Sequence, residues 1–204
     1  MSRVGHAGVP WSQIAAGAGE SLAVLSGGLR HLQDCRYRLA SRALRAVVAS
    51  GGGPPNRRAE LFRELGRALF ACHARAWRRA DLEGSAEAYR RALRFLQNLT
   101  TPDVLVEAAT VHEVAGSHAS AAQIFGRVIE MYPRSSSLPM TVLRAAASLT
   151  ALNQYAQAIA YVSYVMAAPP APFNEDVLTL VLARLYLKNV SEDARVGYAV
   201  GACV

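Results

Sequence analysis

Lysine is nearly absent: Lys188 is the only one among 22 basic side chains, so the positive charge is carried by arginine. Guanidinium groups suit planar, two-pronged contacts to carboxylate and phosphate, though a preference for arginine and alanine is also what GC-rich coding produces. Cysteine is scarce too. Cys35, Cys72 and Cys203 form no CxxC pair and are too few for a disulfide framework, which points to a reducing compartment, with the cytosol as the expected location. Long hydrophobic runs are missing. The uncharged stretch Val4 to Gly19 contains His6, Pro10, Trp11, Ser12 and Gln13, which suits neither a membrane span nor a secretory signal. The apolar run Val177 to Leu182 is too short to cross a bilayer. The first 19 residues hold no acid, as in a mitochondrial presequence, but hold only Arg3 as a base. No β-branched alternating run is present to build a sheet. There is no P-loop, GxGxxG or HExxH, and the 51–53 glycines lack the lysine of a phosphate cradle.

What is there is helix-forming and apolar. With 204 residues, 52% of them hydrophobic, the chain can bury a sizeable core. Proline and glycine cluster near 51–55, 133–139 and 167–172, and the stretches between are rich in Ala, Leu, Arg and Glu. The reading is helices separated by short punctuation. Charge divides unevenly: residues 1–101 hold 16 arginines against 7 acids, about +9, and 102–204 hold 5 arginines and 1 lysine against 8, about −2. An asymmetry of this size predicts that the N-terminal half meets an acidic surface.

A period is visible. In 102–135, PDVLVEAATVHEVAGSHASAAQIFGRVIEMYPRS, Leu105, Ala108, Ala109 and His112 share one helical face. Gly116 marks a turn, Ala121, Phe125 and Val128 line a second helix, and Pro133 ends it. Small residues at Ala109 and Ala121 let two antiparallel helices approach, while Leu105, Phe125 and Ile129 fill the flanks. The same spacing over 139–172 gives Val142, Ala145, Ala146 and Leu149, a turn at Asn153 and Tyr155, then Ala158, Val162, Val165 and Pro170. Over 59–101 it gives Phe62, Leu65, Gly66 and Leu69, about seven extra residues carrying the first helix past Cys72 and Trp77 to a turn at Asp81–Gly84, then Ser85, Tyr89 and Ala92. Over 173–204 it gives Leu182, Ala183 and Tyr186, a turn at Asn189–Asp193, then Ala194 and Tyr198, one residue short of the usual spacing.

These residues resemble the tetratricopeptide repeat, a helix–turn–helix unit of 34 residues, best over 102–172 and less closely over 59–101 and 173–204. The resemblance implies an all-α fold, a right-handed superhelical solenoid of antiparallel helix pairs. The expected organisation is an N-terminal helical hairpin or degenerate repeat over 1–50, a Gly/Pro linker over 51–58, and an array over 59–204. In the family, peptides lie on the face lined by the first helices. Here that face is Asp103, Val106, Glu107, Thr110 and Glu113, then Met140, Leu143, Arg144, Ala147 and Thr150. Members that clamp acidic chaperone tails carry lysine and asparagine where this chain has Val106, Thr110 and Ala147, so that target is rejected. The resemblance implies no enzyme activity, no cofactor and no metal.

The residues themselves agree with that last expectation. His6, His31, His73, His112 and His118 are scattered. His112 and His118 straddle a turn at a spacing that suits no metal motif, and His112 takes a core position. Cys72 and His73 are adjacent, so on a helix they diverge, with no acid to orient the imidazole. The basic candidates are Arg36, Arg38, Arg42 and Arg45 on one helix and the pair Arg78 and Arg79. Asp34–Arg38 and Glu87–Arg91 have the spacing of local ion pairs. Tyr155, Tyr161 and Tyr164 are candidate surface anchors.

The expected function is a non-catalytic protein–protein interaction scaffold, a subunit of a larger assembly. A cytoskeletal or ciliary one fits because microtubule surfaces are acidic. The alternative is a helical-repeat RNA-binding protein using the arginine-rich half, although the base-reading positions are largely Val, Leu and Ala. A peripheral membrane adaptor using the 36–45 helix is a third reading. The apolar 197–204 end lacks a polar capping helix, so either a partner or further chain is expected to cover it.

Overall fold

The computed structural model describes residues 19–49, 57–96, 101–167 and 175–201. His6, Trp11, 51–56, Pro170 and Cys203 lie outside them, as do the side chains of Ala194 and Tyr198. The described residues are helices and turns without a strand. In order the helices are α1 (Gly19–Gln33), α2 (Tyr37–Ala49), α3 (Arg58–Ala76), α4 (Arg79–Leu96), α5 (Pro102–Val114), α6 (His118–Met131), α7 (Leu138–Ala151), α8 (Tyr155–Ala167) and α9 (Glu175–Gly201). The chain forms two compact units, 1–98 and 99–204. The boundary coincides with the change in charge: the arginine-rich half is one unit and the mildly acidic half the other.

In the first unit α1 packs on α2, α2 on α3 and α3 on α4. Leu25, Leu44, Val47, Leu61, Leu65 and Leu69 form its core, with Ala40 and Ala68 fully buried between them. The α3–α4 contact is close at Gly66, where a Cβ would lie 2.8 Å from two carbons of the buried Tyr89 ring. The Ser85 hydroxyl, also buried, donates to the Gly66 carbonyl at 2.8 Å. The hairpin turn differs from its expected place. It falls at Trp77 and Arg78, so Asp81 and Gly84 lie inside α4. The extra residues are thus shared between the two helices. Asp81 sits in the first turn of α4, where the helix dipole favours an anion, and Leu82 is buried.

In the second unit α5 packs on α6, α6 on α7, α7 on α8 and α8 on α9. Pro102 starts α5, where a missing N–H costs no hydrogen bond, and Asp103 follows in the first turn. Leu105, Ala108, Ala109, Ala121, Phe125, Val128, Val142, Ala145 and Ala158 are fully buried. His112 is buried as well, in the core position expected of it. Tyr155 is not a surface anchor: it opens α8, is buried, and its hydroxyl donates to Asn153 Oδ1 at 2.9 Å. Tyr164 is exposed and Tyr161 half-buried.

Three of the hairpin turns share one closure. The N–H groups of Arg36, Ser117 and Gln154 donate to the carbonyls of His31, His112 and Leu149, five residues back, at 2.7, 2.8 and 2.9 Å. This is the bonding that stops a helix when the preceding residue turns left-handed. Those residues are Cys35 (φ 58°), Gly116 (φ 74°) and Asn153 (φ 58°). At the fourth turn Trp77 is left-handed (φ 51°) and its own N–H reaches the His73 carbonyl at 2.6 Å.

The last element departs most from expectation. No turn forms at Asn189–Asp193; α9 runs unbroken through it. Its register also differs. Leu178 and Leu185 are buried, whereas Ala183 and Tyr186 are exposed. The cause is in the chain: no glycine or proline stands between Glu175 and Val196 to stop the helix. The apolar face of α9 is Leu178, Val181, Leu182 and Leu185, spaced i, i+3, i+4, i+7.

Two glycines should respond oppositely to one added methyl group. Gly66→Ala drives a Cβ into the immobile Tyr89 ring and should destabilise by about 1–3 kcal/mol. Gly27→Ala in α1, with nothing within 4 Å of the new carbon, should stabilise by about 0.5–1 kcal/mol. Urea unfolding followed by circular dichroism reads both, and equal effects would refute this account of the α3–α4 contact.

Candidate functional site

The first-helix face of the second unit is built from α5, α7 and α9. Arg144 joins its first two helices. Its Nε donates to Glu113 Oε2 at 2.9 Å, with Nη2 on the same oxygen, and Nη1 donates to Thr110 Oγ1 at 2.7 Å. The guanidinium carbon stands 5.1 Å from the centroid of Phe125. Thr110 in turn donates to the Val106 carbonyl at 2.6 Å. Three of the expected groove residues are therefore engaged with one another, a staple between repeats at a separation of 31 residues that periodicity does not reveal. Asp103 is exposed, and Val106 and Glu107 are half-buried.

The other half of the face opens into a cleft of about 350 Å³ between α7 and α9. Leu143, Ala146, Ala147 and Thr150 line it from α7, and Val181, Arg184, Leu185 and Lys188 from α9. Met140, 62% exposed, lies one turn earlier on α7. Three expected residues, Leu143, Ala147 and Thr150, are thus brought together. The α9 contributors were missed because the repeat spacing put its core one residue too late; the leucine and valine face was the available signal. The floor is apolar and the α9 wall carries two cations. Arg184 is exposed, and Lys188 Nζ lies 6.0 Å from the Tyr155 ring centroid, within cation–π range. The outer face of α9 exposes Leu180, Leu187 and Val190.

In the first unit the structure sorts the arginines. Arg45 faces Asp81 at 3.9 Å and Arg79 donates to Glu83 at 2.9 Å, so both have acids beside them. Glu87 accepts from Arg91 at 2.8 Å, the expected local pair, and that bond and the neighbouring arginines hold its carboxyl below the usual range. Asp34 lies in the turn before α2, outside the helical register that would set it beside Arg38. Arg42 is exposed on α2. Arg36, Arg38 and Arg78 converge with Arg75 on one cleft of about 370 Å³. Arg75 was not singled out in sequence because it stands in no arginine pair or stripe; its guanidinium lies 5.0 Å from the Tyr37 centroid.

Cys72 is buried and Cys35 exposed, both on that arginine cleft. Burial pushes the Cys72 thiol up, and a Ser41 hydrogen bond offsets this in part. His73 Nδ1 lies 3.0 Å from the Arg78 carbonyl, so the ring is held by backbone. Among the described residues no three His, Cys, Asp or Glu side chains are placed to share a metal ion. No described helix is long and apolar enough to cross a membrane.

No protein-family model matches the sequence, and no curated protein does. Solved structures do match. The nearly identical TPR-like repeats of a protein provisionally assigned as a kinesin light chain in Podosopora anserina superpose with TM-score 0.59 at 16% identity, covering 87% of this chain and 92% of that one. MamA from AMB-1 gives TM-score 0.59 at 18% identity, covering 84% and 85%. A second MamA structure gives 0.53 at 14% identity, covering 90% and 87%. The chain has the all-α helical-repeat fold of the tetratricopeptide repeat proteins.

Two measurements test this geometry. A double-mutant cycle with Glu113→Gln and Arg144→Met should show a coupling of about 1 kcal/mol in stability, since both side chains are only about a quarter exposed; additive effects would exclude the staple. Alkylation at pH 8 should modify Cys35 quickly and Cys72 only on unfolding, because burial and a raised pKa both withhold the thiolate. Peptide mapping separates these sites from Cys203.

Proposed function

We propose that this chain is a non-catalytic scaffold that holds a partner protein on the first-helix face of its second unit, as a subunit of a larger assembly. The observation in support is the cleft between α7 and α9, an apolar floor of Leu143, Ala146, Val181 and Leu185 beside Arg184 and Lys188. Clefts of this size and composition take a side chain or a short peptide segment, and apolar anchors in such pockets carry most of an interface's binding energy. The Glu113–Arg144 staple supports the same reading in another way. It fixes the α5 wall, so a peptide meets a preorganised surface and loses less entropy on binding. The fold itself is one whose stacked helix pairs create extended binding faces. The finer reading, a cytoskeletal or ciliary assembly, draws support from the arginine excess of the first half, since microtubule surfaces are acidic.

Cross-linking mass spectrometry on the native complex tests this, with carboxylate-reactive reagents because lysine is so scarce. Partner links should gather around Glu113, Glu175 and Asp176. Leu143→Glu, at a half-buried position on the cleft, should cut partner recovery about tenfold or more while leaving the helical signal unchanged. A protein that runs alone, with RNA co-purifying on the arginine-rich half, would replace this reading with the nucleic-acid one.

A further inference from the structure

The first unit carries a second surface. Its arginine cleft lies where the α1–α2 and α3–α4 turns meet, lined by Arg36, Arg38, Arg75 and Arg78. The one acid on it, Asp81, already has Arg45 at 3.9 Å. No ion pair reaches the four lining arginines among the described residues. Four cations gathered around one concavity repel each other unless an anion joins them, so the cleft is electrostatically incomplete.

The backbone adds an independent observation. A left-handed residue stands in each of the α1–α2, α3–α4, α5–α6 and α7–α8 turns, and the second unit uses Gly116 and Asn153, the residue types that tolerate it best. Both turns of the first unit, which border the cleft, instead use side chains poorly suited to it, Cys35 and Trp77. Trp77 is the greater anomaly. It is 82% exposed, with one edge-on ring contact to His73 at 5.8 Å. A glycine there would relieve the backbone and remove exposed apolar area. Strained positions that persist against such relief cluster at binding sites, and tryptophan, tyrosine and arginine are the residues that dominate protein interfaces.

We propose that this cleft and Trp77 form a docking site for an acidic segment of a partner protein, its carboxylate or phosphate oxygens on the arginines and a neighbouring apolar side chain on the indole. The site is separate from the α7–α9 cleft and does not depend on it. Tyr37 is already covered by Arg75, which leaves one free aromatic surface beside the cleft. That suits a peptide better than a strand of successive stacked bases.

Fluorescence anisotropy of labelled synthetic peptides with the full chain is the test. The probes are a glutamate–leucine peptide, its glutamine counterpart and a phosphoserine–leucine counterpart. The glutamate peptide should bind saturably and the glutamine peptide at least tenfold more weakly. Arg36→Ala combined with Arg78→Ala should cost tenfold or more. Trp77→Gly should weaken binding severalfold while leaving the urea midpoint unchanged or higher, the opposite of what loss of a structural tryptophan would do. Leu143→Glu should have no effect, which separates this site from the groove. Tighter phosphoserine binding would identify the partner group as phosphate, and equal binding as carboxylate; both support the site. Binding that ignores both variants would overturn it. So would a lower midpoint in Trp77→Gly, or a single-stranded oligonucleotide that outcompetes every peptide through the same arginines.

Discussion

The close approach of neighbouring helices at small residues fixes everything else in this molecule. Ala40, Ala68, Ala92, Ala108, Ala109, Ala121, Ala145 and Ala158 have no solvent-exposed surface at all, because each sits where the side chain of one helix meets the body of the next. Gly66 against the buried Tyr89 ring is the extreme case, where even a methyl group would collide. Packing at organic-crystal density leaves such contacts little room to slide. The faces that point away from them, including the walls of the α7–α9 cleft, inherit that rigidity.

How much of this could be read from the sequence follows from the range over which each constraint acts. The α5–α6 hairpin was legible because its determinants are local: Ala109, Ala121 and Phe125 at fixed spacing, Gly116 at a left-handed turn, Pro102 at a helix start. The α3–α4 turn was misplaced because Gly84 looks like punctuation and Trp77 does not; nothing in its chemistry announces a left-handed residue. The α9 register was missed because the repeat was carried one unit further than its residues support. Leu178, Val181 and Leu185 carried the correct face throughout, and a continuous helix needs only the absence of a breaker. On the groove, Leu143, Ala147 and Thr150 were found by period, whereas the α9 side of the cleft and the staple were not.

The staple shows why. Arg144 read alone is a solvated cation on a binding face. In the structure it is a structural residue, since Glu113, Thr110 and Phe125 surround it with an anion, an acceptor and a π-face at once. Periodicity says which face a residue is on but not which partner waits there 31 positions away. Each such pairing removes a charge from the surface available to a partner, so counting arginines overstates a basic face.

The same subtraction sharpens the first unit. Its formal charge of about +9 acts at long range mainly on encounter, and salt confines the field of each exposed charge to about 8–10 Å under physiological conditions. Dispersed arginines such as Arg42 then contribute little to a specific contact, and those beside Asp81, Glu83 or Glu87 still less. Only charges held within one screening length can act together on one anion, and the turns bring Arg36, Arg38, Arg75 and Arg78 into a single cleft. Net charge alone would predict loose attraction to any polyanion. A cluster beside an exposed indole adds a requirement for shape and for an apolar neighbour, and it is that added requirement that separates recognition of one acidic segment from general stickiness.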